Sequence, residues 1–242
     1  MSEVSNHPKL SLVVLCYRAG EGARLFVREL IKELEHLHDG WEIILVGNYF
    51  HGDNDPTPQI LHDIAESSGQ TVRVVADHKK GMMGWDVRSG LAIAKGEYLA
   101  FIDGDGQMPV RDLSELYKVI RTGDFDLVKT YREERYDGWR RRVISKVYNW
   151  LFIIFFPGYP VKDVNSKPKI MTRLAYEKME LSSDDWFIDA EIIIKARRYK
   201  LKLYEVPTVF LKNVRRKSFV KNSAVFEFVK NMIKARIKEF RY

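Results

Sequence analysis

A single cysteine, Cys16, stands in the 242 residues of this chain. One thiol cannot build an intramolecular disulfide framework, so the fold must rest on its apolar core, and the composition fits a reducing compartment. Cys16 lies in an apolar run and reads as a small buried hydrophobe. Also missing is any stretch of the roughly 18–20 apolar residues that a membrane span needs. The nearest approach, residues 147–156, is broken by Asn149 and stopped by Pro157-Gly158, a length that suits a buried or interfacial helix. The polar segment 1–9 lacks the apolar core of a signal peptide. Internal repeats, low-complexity linkers and recognisable nucleic-acid motifs are absent as well, so nucleic acid is not an expected partner.

What is present is an ordinary globular apolar fraction of 45% with an excess of positive charge. The formal net charge is +7 and the pI about 9.3. The excess is uneven: from Lys212 onward ten Lys or Arg face only Glu227 and Glu239. That asymmetry points to an anionic partner for the C-terminal part.

Apolar runs and periodic segments alternate along the chain. Strands are expected at residues 10–16, 41–46, 72–75, 97–102 and 126–129, with helices at 21–38, 60–67, 84–95, 110–121 and 139–156 between or after them. Leu25, Leu30, Leu34 and Leu37 mark the apolar side of the first helix. A further strand at 169–171, a helix at 188–199 and strands at 201–205 and 208–211 complete a second layer. The alternation favours an α/β fold with a doubly wound, mostly parallel sheet. Residues 1–222 read as one domain and 223–242 as an appended helix. In that helix Phe226, Val229, Ile233, Ile237 and Phe240 form an apolar row beside Glu227, Lys230, Lys234, Lys238 and Arg241. Two readings are open: an apolar face docked on the domain, or an interfacial helix on anionic lipid.

The chemistry concentrates at Leu99-Ala100-Phe101-Ile102-Asp103-Gly104-Asp105-Gly106-Gln107. A buried strand ends in two aspartates spaced i, i+2, at the strand end where open α/β sheets bind ligands. Their hard oxygens suit Mg2+ or Mn2+ carrying a diphosphate. A calcium loop of the helix–loop–helix kind would need Glu at its twelfth position, and counting from Asp103 that position is Ser114.

Lys80-Gly81, Gly90-Leu91-Ala92 and Ala94-Lys95-Gly96-Glu97-Tyr98, running into Asp103-Gly104-Asp105-Gly106-Gln107, resemble the donor half of inverting family-2 glycosyltransferases with the Rossmann-like GT-A fold. The similarity is greatest to the branch of dolichyl- and polyprenyl-phosphate mannose or glucose synthases, and it extends over residues 10–221. The resemblance implies that Asp105 contacts the metal and that Asp103 contacts the donor ribose or the metal, with Gln107 following the motif. Tyr17, Arg18 and Glu21 fall at the family's nucleotide-binding turn. The loop after the second strand departs from the pattern: Gly47-Asn48-Tyr49 stands where the family commonly has Asp-Asp. Asp53 and Asp55 are the nearest carboxylates that could take its place.

Downstream, Arg132, Arg135 and Asp137, then Arg141 and Ser145 one helical turn apart, resemble the branch's acceptor-phosphate region. A guanidinium beside a hydroxyl is apt for a phosphate monoester, while a solvated basic helix start is the plainer alternative. Residues 147–156 are open to two readings, a guide for a lipid tail or a core helix. Asp163-Val164-Asn165-Ser166-Lys167-Pro168-Lys169 aligns with an Asp-x-x-x-Gly-Phe-Lys stretch, with Lys167-Pro168 in place of Gly-Phe. Phe187-Ile188-Asp189-Ala190-Glu191 resembles the Phe-Asp-x-Glu motif. With a hydroxyl acceptor, Asp189 is the expected general base; with a phosphate acceptor no strong base is required, and Asp189 would orient substrate or a positive side chain. A helix cap is its structural alternative. Arg215-Arg216-Lys217-Ser218 resembles a basic loop that covers the donor, so Arg215 and Lys217 join the donor-binding set.

The implied activity is metal-dependent transfer of a hexose from a nucleoside-diphosphate sugar to a polyprenyl phosphate, at the cytoplasmic membrane face, by a peripheral membrane protein. A sugar or protein hydroxyl as acceptor is the alternative within the enzyme class. A basic membrane-binding module on a degenerate transferase fold is the alternative outside it.

Overall fold

The computed structural model describes residues 8–158, 161–212 and 223–239. Its centre is a seven-stranded sheet of order β3-β2-β1-β4-β6-β5-β7. The strands are β1 (Leu10–Leu15), β2 (Trp41–Val46), β3 (Val72–Val75), β4 (Tyr98–Asp103), β5 (Leu127–Arg135), β6 (Lys169–Thr172) and β7 (Leu203–Phe210). The helices are α1 (Gly22–Glu35), α2 (Thr57–Ser68), α3 (Met83–Ile93), α4 (Arg111–Ile120), α5 (Trp139–Phe155), α6 (Arg173–Met179), α7 (Ile188–Arg198) and α8 (Ser223–Glu239).

β1 is buried along its whole length because both faces of the sheet are covered, which explains its unbroken apolar run. Val13 and Leu15 face one core layer with residues of α3 and α7, while Leu10, Leu12 and Val14 face the other with residues of α1, α2 and α4. Cys16 is buried in that second layer. β1 pairs in parallel with β2 on one side and β4 on the other, which sets Leu15 opposite Asp103. The chain winds outward in both directions from this pair, so a crevice opens beyond the carboxyl ends of β1 and β4. β6 runs antiparallel between β4 and β5, placing Lys169 between Phe101 and Lys129.

Four local expectations are corrected. Leu25 is exposed, and α1 packs through Ala23, Phe26, Val27, Leu30 and Leu34. β5 runs on to Arg135, because the charged residues beyond Lys129 pair with β7 at the sheet edge. β7 is one strand and not two: Pro207 sits opposite Tyr131 on this edge strand, where a missing N–H is tolerated. The short helix α6 was not anticipated; Thr172 opens it, its hydroxyl accepting from the Ala175 N–H at 3.2 Å.

Candidate active site

The turn after β4 holds Asp103 and Asp105 at the mouth of the crevice, both half-buried. Asp105 Oδ1 accepts from the Gln107 N–H at 3.1 Å. Gln107 itself is buried, and its side-chain amide donates to the Leu211 carbonyl at 2.9 Å while Leu211 N–H donates back to the Gln107 carbonyl at 2.9 Å. Gln107 therefore fastens the aspartate turn to the end of β7. Arg215 and Lys217, a few residues further on, lie outside the described residues.

Behind Asp103 lies a buried charge cluster that the sequence reading missed. Lys167 Nζ is 3.4 Å from Asp103 Oδ2 and 3.1 Å from Asp189 Oδ2, and Lys169 Nζ is 2.5 Å from Asp189 Oδ1. Lys129 Nζ bonds Glu205 Oε1 at 2.8 Å on the other side. Arg132 grips Asp163 with two parallel bonds, Nε to Oδ2 at 2.6 Å and Nη2 to Oδ1 at 2.8 Å. The cluster thus sets Lys129, Arg132, Lys167 and Lys169 against Asp103, Asp163, Asp189 and Glu205. Burial on its own disfavours each ion. Burial would raise the Asp189 carboxyl, but Lys167 and then Lys169 outweigh it and hold Asp189 below the usual carboxylate range. The same contest ends in the same way at Asp163, beside Arg132. Lys169, fully buried and close to two further ammonium groups, is pushed down to about 7.

This environment bears on the expectation that Asp189 is the general base. A carboxylate buried between two ammonium groups, with its proton affinity lowered, is a poor proton acceptor. Asp189 pairs with the positive side chains of Lys167 and Lys169. Nor does it cap its helix: the residue before α7 is Phe187, which has no side-chain cap. Glu191 is likewise structural, accepting from the Ser182 and Ser183 N–H groups at 2.8–3.1 Å. It holds the loop 182–187 against the start of α3, where a Cβ on Gly84 would lie 2.3 Å from the Ser183 carbonyl oxygen. That close approach accounts for the glycine.

The far wall of the crevice carries Tyr17 and Arg18. Asp53 binds both, accepting from Arg18 Nη2 at 2.6 Å and the Tyr17 hydroxyl at 3.4 Å. Burial raises the Tyr17 hydroxyl above its ordinary value, against the opposing pull of Arg18. Lys79, paired with buried Asp86, lies 4.2 Å from the centre of the Tyr17 ring. Asn48, where the family's aspartate was expected, is wholly buried. Its amide donates to Asp86 at 2.9 Å and Ser89 at 3.0 Å, and its carbonyl accepts from the Asp77 N–H at 2.9 Å. Asn48 thus braces the loop from below. Asp55 binds the N–H and hydroxyl of Thr57 at the start of α2. Glu21 is exposed and pairs with Arg24 at 2.9 Å.

A cavity of about 630 Å3 opens between β5 and α5, lined among others by Arg132, Arg142, Ser145, Lys146, Asn149 and Lys162. Ser145 Oγ lies 3.4 Å from Arg132 Nη2. Asn149 ties α5 to the opposite wall, accepting from the Val164 N–H at 3.1 Å and donating to the Lys162 carbonyl at 3.2 Å. Arg141 does not line this cavity: it is turned toward Asp137, 3.9 Å away. Arg142, three residues before Ser145, takes its place with Lys146. Helical spacing put Arg141 and Ser145 on one face; it could not say which neighbouring row faces β5.

Among the described residues no three His, Cys, Asp or Glu side chains converge on one point as a metal cage. Asp103 and Asp105 supply hard oxygens on one turn, a donor set that fits Mg2+ or Mn2+ only if ligand oxygens and water complete the shell.

The Glycosyl transferase family 2 model matches residues 11–181. Glycosyltransferase AglD of Haloferax volcanii is 26% identical over 82% of this chain and 32% of its own length. Undecaprenyl-phosphate 4-deoxy-4-formamido-L-arabinose transferase of Sodalis glossinidius is 27% identical over 59% of this chain and 43% of its own. The chain thus spans less than half the length of these curated relatives. Glucosyl-3-phosphoglycerate synthase of Mycobacterium tuberculosis, solved with phosphoglyceric acid, superposes with a TM-score of 0.70 at 19% identity, covering 95% of this chain and 80% of that one. The same enzyme solved with Mn2+, UDP and glucosyl-3-phosphoglycerate gives 0.69 at 18%, again covering 95% and 80%. The fold is the GT-A fold, and the chain belongs to glycosyl transferase family 2.

Proposed function

We propose that this family 2 chain transfers a hexose from a nucleoside-diphosphate sugar to a polyprenyl phosphate, using Mg2+ or Mn2+, on the cytoplasmic face of a membrane. The observation that carries the reading is the β5–α5 cavity, where Arg142, Ser145, Lys146 and Lys162 line the wall beside the buried Arg132–Asp163 pair, with Glu133 and Glu134 of β5 on the same cavity. The basic side chains with the Ser145 hydroxyl suit a phosphate monoester, and they outnumber the two glutamates. Asp189 supports the same acceptor: a phosphate is already an anionic nucleophile, so a weakly basic Asp189 is no handicap, whereas a hydroxyl acceptor would need a real base. The Mn2+ and UDP bound by the mycobacterial synthase, and the undecaprenyl phosphate named for the Sodalis relative, point the same way.

Asp105 and Asp103 would hold the metal, which neutralises charge on the departing diphosphate when bound. Tyr17 and Arg18 would flank the nucleotide, with Arg215 and Lys217 closing over it. Arg132, through Asp163, fixes the cavity wall. Ser145, Arg142 and Lys146 orient the acceptor phosphate so that one oxygen attacks the anomeric carbon, the carbon–oxygen bond to the diphosphate breaks, and the configuration inverts. Membrane contact includes α8. Among the described residues no helix is long and apolar enough to cross a membrane.

The test uses radiolabelled GDP- and UDP-hexoses with a polyprenyl phosphate in detergent, with and without Mn2+. Label is expected in the organic-soluble lipid fraction and only with metal. Label confined to water-soluble glycan would sink the lipid acceptor.

A further inference from the structure

Helix α5 carries three different surfaces. Tyr148 and Phe152 are buried in the core. Arg142, Ser145, Lys146 and Asn149 line the cavity. The third surface is apolar and exposed: Trp139, Val143, Val147, Trp150 and Ile154 follow one another at steps of three or four residues along its length. Trp139 is 65% exposed and Trp150 62%. Isolated exposed hydrophobes are common, but an apolar stripe along a whole helix marks an interaction surface. Beside it, α8 buries Met232 and turns Ile233 and Ile237 outward together with Lys230 and Lys234.

We propose that this face of α5, widened by Ile233 and Ile237 of α8, seats the protein on an anionic lipid surface. The inference rests on the lipid-acceptor reading above and adds where the membrane lies. Two exposed tryptophans suit the boundary between headgroups and acyl chains, where an apolar ring with a polar edge is at home. Arg142 and Lys146 on α5 and the exposed Lys230 and Lys234 on the adjoining α8 match anionic headgroups, and would repel the same face of a second copy. The cavity adjoins the stripe on the same helix. A lipid phosphate held between Arg142 and Lys146 would therefore leave its chain on the side facing the acyl region.

The experiment is flotation of the full chain with phosphatidylcholine vesicles, plain or containing phosphatidylglycerol. Binding is expected to favour the anionic vesicles, with tryptophan emission quenched by brominated acyl chains. Replacing both residues, Trp139→Ser with Trp150→Ser, should lower vesicle partitioning by about tenfold or more. The pair variant should melt as the wild type does and turn over a short, water-soluble prenyl phosphate unchanged. Wild-type binding by the pair variant would overturn the assignment. So would a dimer in sedimentation that the pair variant dissolves, with neither protein binding vesicles. Tryptophan-dependent vesicle binding by a protein that transfers sugar to no prenyl phosphate would uphold the surface and reject the acceptor.

Discussion

Lys167 Nζ lies 3.4 Å from Asp103 Oδ2, so the first aspartate of the strand-end pair is joined through one ammonium to Asp189 on α7, 3.1 Å away. Two residues that the sequence places far apart thereby share a counter-ion. Asp189 is the more deeply committed of the two, because it also holds Lys169.

Removing Asp189 should therefore cost more than removing Lys167. Asp189→Asn leaves two buried ammonium groups short of a partner and should destabilise by about 3–5 kcal/mol, the range for breaking buried ion pairs. Lys167→Met takes one partner from Asp189 and one from the half-buried Asp103 but leaves the Lys169–Asp189 pair intact, so a smaller loss is expected. Urea unfolding of both variants checks the order; a larger loss for Lys167→Met would refute it.

On the proposed function metal and nucleotide should bind interdependently, because Asp103 and Asp105 would supply only part of a coordination shell. Calorimetry should find weak Mn2+ binding to the protein alone and much tighter binding with UDP or GDP present. Asp105→Asn should abolish this coupling and cut turnover by about a hundredfold or more, with an unchanged melting curve.

Arg141 and Arg142 separate two placements of the acceptor phosphate. Arg142→Ala should raise KM for the polyprenyl phosphate by about tenfold, as for loss of one charge-assisted bond. Arg141→Ala should stay within about threefold, as expected of a surface charge. Steady-state kinetics with the acceptor varied reads both.

Asp112 should limit stability at neutral pH. Burial raises its carboxyl to about 6, despite the Thr208 hydroxyl bond at 2.5 Å. The folded state therefore holds a proton that the unfolded chain has released between pH 3.8 and about 6, so stability falls as pH rises through that window. Asp112→Asn keeps the acceptor for Thr208 and removes the charge. It should stabilise by on the order of 2 kcal/mol near pH 8 and by almost nothing near pH 4. Thermal melts at both values check the difference.

Much of the first half of the fold was legible in the chain itself. Continuous apolar runs become strands buried on both faces, and a strand that ends in Asp-Gly-Asp must deliver carboxylates to its own carboxyl end, because period and burial are local properties. The glycines of the α3 region were legible as a motif, although the reason for Gly84 appears only with the Ser183 carbonyl against it. The charged second half of β5 was not legible as strand, since edge pairing with β7 supplies what its side chains do not advertise.

By itself, then, the sequence determined the α/β alternation, the position of Asp103 and Asp105, and the basic, apolar-striped helices that follow. Tertiary structure decided which of those groups meet. β6 enters the sheet antiparallel between β4 and β5, and that insertion brings Lys167 to Asp103 and buries Lys169 against Asp189. Packing also decided that Arg142 and not Arg141 faces the cavity, and that the tryptophans of α5 face outward. Helical and strand periodicity fixes which side chains share a face; only the arrangement of the neighbouring elements fixes what that face meets.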